Sequence, residues 1–537
     1  MLMADAAANW RFRAPQEDGQ TLVDPPRPTL GGVIARNRAR LAKFDYDLQG
    51  RSLAELAASA RGALVDRALE YTRRYRDVSP RHRQVAQTCG PLVLSGHQPQ
   101  LFHAGVWYKN FVLGDVAAEV GGAAIHLLID SDLCRTASIR VPTGREAEPR
   151  LETVPFDQPA ADMPYEERSI HDEATFVHFA SRVSQVLRPF VASPLVELLW
   201  PLMPNISNDG GERNLGLRVA QGRHRLEAEM GNDTLELPQS SVCSLAEFHW
   251  FMAHLLAHLP RFRAAYNGSL AGYRQAHRLR NRAHPVPDLT QTDGWLEAPF
   301  WMWSADDPRR QPVFARQRAK EIELTDRHGR TITLTLSADR DAGVAAEQLA
   351  AAAARGVKLR TRALATTLFA RLMLSDLFLH GIGGAKYDQV TDDIALRFFG
   401  FSLPEFATAS ATLRLPIARP AVRHESMREM RQHLRDLAYH PERFLSASLA
   451  SAVAETAVRE KTRWLETTKT PQNARARHQA IANANAALQP LVATQRDELE
   501  RSRNEIEHRL AVDSILNSRE YSFCLFPREH FERLRRT

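Results

Sequence analysis

The chain has 537 residues, 44% hydrophobic and 25% charged, proportions that exclude wholesale disorder. Its 70 Lys and Arg against 63 Asp and Glu leave a net charge of +7, which permits an anionic ligand or nucleic acid without requiring either. No run of about 18 apolar residues occurs, so no membrane-spanning helix is expected.

Only seven of the 70 basic residues are Lys, at positions 43, 109, 320, 358, 386, 461 and 469. Lys and Arg are not interchangeable at a site, so each Lys merits inspection. The four Cys (Cys89, Cys134, Cys243, Cys524) are far apart with no C-x-x-C pair, so neither a zinc site nor a disulfide framework is indicated. The first 20 residues lack the apolar stretch of a signal peptide, and a reducing cytoplasm is the expected location.

Residues 1–30 are polar and Pro-rich and are expected to drape over the surface. Residues 31–78 carry two helical stretches, with Leu53, Leu56, Leu64 and Leu69 at near-helical spacing in the second. Residues 91–130 form the clearest unit. PLVLSG reads as a buried strand, HQPQLFHAG as a polar loop, VWYKNFVLGDVAAEV as a helix and AAIHLLID as a second buried strand. Strands apolar throughout suit a parallel sheet covered on both faces, whose ligands sit at the carboxyl ends of the strands.

Residues 140–240 are mixed and Pro-interrupted, and 245–282 read as helical. EIELTD-RHGR-TITLTL alternates around a His-Gly turn and predicts a β-hairpin. Residues 343–380 read as helix-rich, GIGGAKYD as a glycine loop and VTDDIALRFFG as a helix. From His424 to about Leu516 the sequence is helical and charged. Val492, Leu499 and Ile506 recur every seven residues, and Pro490 must start, kink or break a helix. The apolar tail 520–531 is expected to return to the body.

Three segments carry candidate chemistry. In Gly96-His97-Gln98…His103-Ala104-Gly105, a strand-to-helix loop gathers backbone N–H groups and a helix dipole. Its imidazoles and amide can hold an anion or move protons, with Lys109 one turn into the helix. The alternative is a turn whose side chains cap the helix. Asp130 and Asp132 end the next strand and would share a face if the strand continued; exposed loop acids are the equal alternative, and no third ligand marks a metal. Gly381-Ile382-Gly383-Gly384-Ala385-Lys386-Tyr387-Asp388 allows close approach of backbone to ligand, but matches neither the P-loop nor the dinucleotide fingerprint. The aromatic run Trp295, Phe300, Trp301, Trp303 reads as packing in preference to a stacking platform. Glu and Arg alternate along the C-terminal helices, a helix-pair pattern and not a nucleic-acid stripe.

SGHQPQLFHAGVWYKN…AAIHLLIDSD resembles the Gly-Gln-Gln loop, the Leu-Phe/Thr-Gly-Pro segment and the helix-borne Lys of the bacillithiol-biosynthesis cysteine-adding enzymes (cysteine ligases). GIGGAKYDQVTDDIALRFFGFSLPEFATASATLRL is similar to that family's second conserved segment, and a helical region follows in both. The resemblance implies an α/β fold: a Rossmann-like parallel-sheet core with inserted segments and a C-terminal helical coiled-coil arm. It implies residues 1–90 as an N-terminal helical segment on the core, 91–424 as the core with an insertion around 140–340, 425–516 as the arm, and 517–537 as a returning tail.

The implied activity is a carbon–nitrogen ligase joining a cysteine-like amino acid to an amine on a small sugar-derived acceptor. His97, Gln98, His103 and Lys386 would be catalytic. Gly96, Gly105, Lys109, Asp130, Asp132, Gly383, Gly384 and Tyr387 would bind substrate. ATP is the expected co-substrate if a carboxylate must be activated. The partners implied are small molecules, with neither nucleic acid nor membrane, and the arm is the surface for a homodimer.

Departures favour transfer of fold over transfer of substrate. Asp130-Ser131-Asp132 stands where the family has Asp-His-Asp, His97 where Gln is usual, and His103 where a small residue or Thr is usual; residues 285–340 have no counterpart. The loop is also loosely similar to that of nucleotidylyltransferases, with Val106 in place of their second His. A nucleotidylyltransferase, or a non-catalytic scaffold with a degenerate core and a dimerising arm, are the alternative readings.

Overall fold

The computed structural model describes residues 12–203, 213–417, 424–445 and 452–536. Two compact units divide the chain. The first takes residues 1–141, 152–416 and 519–537, and the second takes 142–151 and 417–518.

In chain order, the main elements of the first unit are β1 (Thr21–Asp24), α1 (Leu30–Leu41), α2 (Leu53–Arg73), β2 (Leu92–His97), α3 (Ala104–Glu119), β3 (Ala123–Leu128), α4 (Leu215–Glu229) and β4 (Leu235–Pro238). Next come β5 (Trp295–Ser304), β6 (Asp307–Arg318), β7 (Glu321–Thr325), β8 (Thr331–Thr335), β9 (Val357–Thr361), β10 (Leu377–His380), α5 (Ile382–Phe399) and β11 (Ala407–Ala411).

Six strands form the main sheet in the order β1-β11-β10-β2-β3-β4. All neighbours are parallel except β1, which runs antiparallel along β11. Apolar runs in β2 and β3 are buried, as strands covered on both faces require. The chain runs outward from β2 to β3 and β4. It then returns to the other side of β2 as β10 and runs outward again to β11. Right-handed crossovers therefore place α3, between β2 and β3, and α5, between β10 and β11, on opposite faces of the sheet.

Four sequence expectations need correction. Thr21–Asp24 does not drape over the surface: it is a hydrogen-bonded edge strand, registered from Thr21 against Ala411 to Asp24 against Thr408. Leu235–Pro238 lies inside the interval 140–340 yet is the edge strand of the main sheet, paired from Ile125 with Leu235. The sheet is therefore interrupted twice, by 129–234 and by 239–376. Leu377–His380 is a strand and not the end of a helix. Four apolar residues after a helical run carry no periodicity that separates strand from helix, and pairing with β2 decides the outcome. GIGGAKYD is not a loop before a helix, since α5 begins at Ile382 and the glycines form its first turn.

A second, antiparallel sheet has the order β8-β7-β6-β5-β9. Its β7–β8 hairpin follows the alternation in the sequence: Ile322, Leu324, Ile332 and Leu334 are buried, while Glu321, Thr331 and Thr333 are exposed. Phe300 and Trp303 are core residues of this sheet. Trp301 lies between the guanidinium groups of Arg310 and Arg362, 4.4 and 4.1 Å from its centroid.

The second unit is built on α6 (His424–Tyr439), α7 (Ala452–Glu466), α8 (Ala474–Leu488) and α9 (Ala493–Leu516). Helix α7 packs on α8 through Ala454, Ala457, Ala484 and Leu488, and α6 packs on α9. Pro490 sits in a 3₁₀ turn between α8 and α9. Along the heptad seam Val492 is buried, and Leu499, Ile506 and Leu510 are half-buried.

Residues from 519 onward belong to the first unit, ending in α10 (Arg528–Arg536). Phe523 donates its N–H to the Phe102 carbonyl at 2.9 Å, and the Phe531 ring lies 4.0 Å from that of Trp107 on α3. Phe531 is fully buried, so Phe531→Ala removes a large side chain from a sealed contact. Urea unfolding of the first unit is expected to show a loss of about 3–5 kcal/mol. A loss below about 1 kcal/mol would mean that the tail contributes little to the fold.

Candidate functional site

Where neighbouring strands of a parallel sheet lead off in opposite directions, their following loops separate and leave room beyond the carboxyl ends. Here that point lies between β2 and β10. Strand β2 ends at His97 and β10 ends at His380, with Leu379 registered against Ser95. Side chains alternate between faces, so Ser95 and His97 point toward the α3 face and His380 toward the α5 face.

On the α3 face, Lys109 is buried and donates to Ser95 Oγ and, at 3.0 Å, to the Gly96 carbonyl. Burial, reinforced by the nearby Arg223 charge and partly offset by Glu227, brings the ammonium pKa down to about 7. Lys109 therefore holds the loop from behind and does not reach into solvent. His97 is half-exposed. Its Nδ1 lies 3.2 Å from the Gln98 carbonyl, which requires Nδ1 to carry the proton and leaves Nε2 as an acceptor. Burial, with the Lys109 charge next in size, lowers its pKa to about 3, so the ring is neutral.

His103 is the N-cap of α3, and its Nδ1 accepts from the Gly105 N–H at 3.1 Å. A cap of this kind needs an unprotonated ring nitrogen, and burial lowers the pKa in that sense. Gly105 is a packing residue and does not line the site: a Cβ there would stand 2.3 Å from the Ala411 carbonyl on β11.

On the α5 face, His380 Nε2 lies 2.8 Å from Asp388 Oδ2, and the same oxygen accepts from Arg371 at 2.7 Å. Burial disfavours the Asp388 charge, but Arg371 and His380 outweigh it and hold the carboxyl well below its usual range. A carboxylate partner fixes the proton on Nε2 of His380 and leaves Nδ1 as an acceptor. Burial lowers the His380 pKa despite the Asp388 charge, so this ring is neutral as well. Gly384 makes room for it, because a Cβ at 384 would stand 2.7 Å from Nδ1. Helix α5 starts at Gly381 with no capping side chain, and a Cβ at 381 or 383 would meet nothing within 4 Å. No side chain caps its first-turn N–H groups, which lie at the positive end of an 18-residue helix.

The two aspartates part company. The chain turns after Leu128, with Ile129 donating to the His97 carbonyl and Asp130 to the Leu128 carbonyl, so they do not share a strand face. Asp132 is half-exposed, accepts from Gln98 Nε2 at 2.8 Å and pairs with Arg310 of β6 at 3.1 Å. Asp130 is sealed away, accepting from the Ser240 N–H at 2.9 Å and from its hydroxyl. Burial and the neighbouring Glu166 charge raise its pKa to about 7.

Thus Gly96, His97, Gln98, Lys109 and Asp132 come together around the end of β2, and Gly383 and Gly384 stand at the start of α5 beside the end of β10. Lys386 has no hydrogen bond or ion pair with them. It is exposed, two positions and about 200° around the helix from the inward-facing Asp388. Tyr387 is half-buried, its ring 6.0 Å from that of His284.

Sequence reasoning missed His380 and Arg371 and gave Asp388, the last residue of the glycine segment, no role; the three become a set only when β10 is a strand and α5 starts at once after it. It also missed the polar network behind Lys109. There Arg223 pairs with Glu227 and Glu236, and Trp107 Nε1 and Asn110 Nδ2 each donate to Glu227 at 2.9 Å. His126, registered beside Ser95, is buried with neither ring nitrogen bonded. A charged residue on an amphipathic helix gives no sign in sequence that it faces inward.

Among the described residues, no group of three or more His, Cys, Asp or Glu side chains is placed to hold a metal ion, and no helix is long and apolar enough to cross a membrane. No protein-family model matches the sequence, and comparison with curated proteins finds no match.

Two outcomes test this geometry. Gly105→Ala is expected to destabilise the first unit by about 2–3 kcal/mol, read by denaturant unfolding, because backbone blocks the new methyl group. Lys109 binds its proton less tightly folded than unfolded, so stability attributable to it rises between about pH 7 and the ordinary lysine range. The wild-type minus Lys109→Met difference in unfolding free energy should increase from pH 7 to pH 10. A flat difference would mean that Lys109 titrates normally.

Proposed function

We propose that the first unit is a Rossmann-like enzyme core and that the chain is a carbon–nitrogen ligase, joining an activated carboxylate to an amine of a small, sugar-derived acceptor. The observation carrying this reading is the reversal of strand order between β2 and β10, with neutral His97 and His380 at the two strand ends and the uncapped start of α5 beside them. Helix N–H groups without a side-chain cap suit a phosphate or carboxylate. The acceptor Nε2 of His97 suits an amine, which presents N–H donors and must lose a proton as it attacks. The resemblance to cysteine-adding ligases supplies the amino-acid donor, and ATP is the activating co-substrate that such a reaction requires.

In this mechanism His97 Nε2 orients the attacking amine, held in one tautomer by the Gln98 carbonyl. Gln98 is itself fixed through Asp132 and Arg310. The amine's proton passes to His97 Nε2, while His380, on the opposite face, is held by Asp388 and Arg371 beside the start of α5. The first-turn N–H groups of α5 receive the developing oxyanion or the departing phosphate. Helices α6 to α9 form the arm, whose half-buried seam is the proposed self-association surface and a candidate coiled coil.

The test is thermal stability with ATP, cysteine and an amino-sugar conjugate. A ligand at 100 times its Kd adds about 2.7 kcal/mol, which is several degrees for a unit of this size. ATP is expected to raise Tm in the wild type. Gly383→Asp should abolish that rise without lowering the Tm of the free protein, because a carboxylate at a helix start repels an anion while complementing the dipole. No rise with any of the three ligands would contradict the reading.

A further inference from the structure

A cavity lies at the opposite end of β2, about 17 Å from His97 at the usual rise per strand residue. It measures about 310 Å³, is lined by α1, α2, the segment before β2, and residues 372–376, and opens to solvent along one side. Its walls are apolar, with Leu41, Leu53, Val65, Val85, Leu92 and Leu372 among them. Its polar end is made by Arg38, Arg61 and Asp376.

Asp376 is fully buried and fixed. It accepts from Leu92 N–H at 2.8 Å, from Arg61 Nη1 at 2.9 Å and from Arg38 Nη1 at 3.2 Å. It is the single carboxylate among the described lining residues, so two guanidinium groups share one negative charge. Arg61 also donates from Nε to the Met373 carbonyl, and Arg38 from Nη2 to the Cys89 carbonyl. Arg61 Nη2 and Arg38 Nε have no hydrogen-bond partner among the described residues, and both side chains are partly exposed.

A pocket with a surplus positive charge and spare donors at one end, and hydrocarbon along the rest, is complementary to a carboxylate carrying an alkyl chain. Water is poorly suited to the apolar part, which offers it no partners. The volume stands at the small end of the range for ligand pockets and suits a chain of about eight carbons. We infer that this cavity is a binding site for a medium-chain monocarboxylate, separate from the proposed ligase site and independent of that reading.

Calorimetric titration of the full-length protein with octanoate, 1-octanol and n-octylamine tests the inference. Octanoate is expected to bind at one site at least tenfold more tightly than octanol, and octylamine more weakly still. Arg61→Gln should weaken octanoate at least tenfold and leave octanol unchanged. Ala57→Phe fills the cavity from its wall and Ala58→Trp crowds its rim. Whichever of the two keeps the wild-type circular dichroism and Tm should lose both ligands. Equal affinity for octanoate and octanol, no octanoate binding at millimolar concentration, or full affinity in both filled variants would overturn the proposal.

Discussion

The parallel pairing of β2 with β10 is the constraint on which the candidate site depends. The two strands are joined across 284 positions of sequence, by the Ser95 hydroxyl donating to the Leu379 carbonyl at 2.7 Å and by the Leu92 N–H donating to Asp376. One end of this pair is locked by Asp376 and its two arginines. The other end opens as the loop after β2 and the immediate start of α5 after β10, leading to helices on opposite faces. Without the pairing, His97 and His380 would belong to unrelated parts of the chain, and α5 would start nowhere near the polar loop after β2.

Charge is used asymmetrically around this pair. Arg223, Arg360 and Arg371 are buried against carboxylates, and Arg310 is mostly so; a planar guanidinium with several donors suits such positions. Lys109 occupies the one buried position at the end of β2 where a cation rests on a hydroxyl and a carbonyl, with no directly bonded carboxylate. An ammonium can yield its proton there and a guanidinium cannot. The surplus of arginine over lysine is thus largely a matter of composition, whereas Lys109 has a place that arginine could not fill. Lys386, equally conspicuous in the sequence, is a solvated side chain.

What was legible from sequence follows from how local each feature is. The β2–α3–β3 unit, the β7–β8 hairpin and the C-terminal helices declare themselves in short-range patterns of apolar residues. The loop after β2 was legible in composition but not in role: His103 proves to be a cap and Gly105 a packing residue, both decided by neighbours distant in sequence. Strands β1, β4 and β10 were not legible. Each is four residues long and acquires its identity from the strand beside it. The His380–Asp388–Arg371 set was hidden with β10, and the buried face of α4 was hidden because its arginines and glutamates read as solvated.

A crystal structure with ATP and cysteine bound would test the central claim most directly. Density is expected beyond the carboxyl ends of β2 and β10, with phosphate or carboxylate oxygens within hydrogen-bond distance of the first-turn N–H groups of α5 and a ligand nitrogen or oxygen near His97 Nε2. Ligand density elsewhere, with the space between His97 and His380 holding solvent alone, would contradict it.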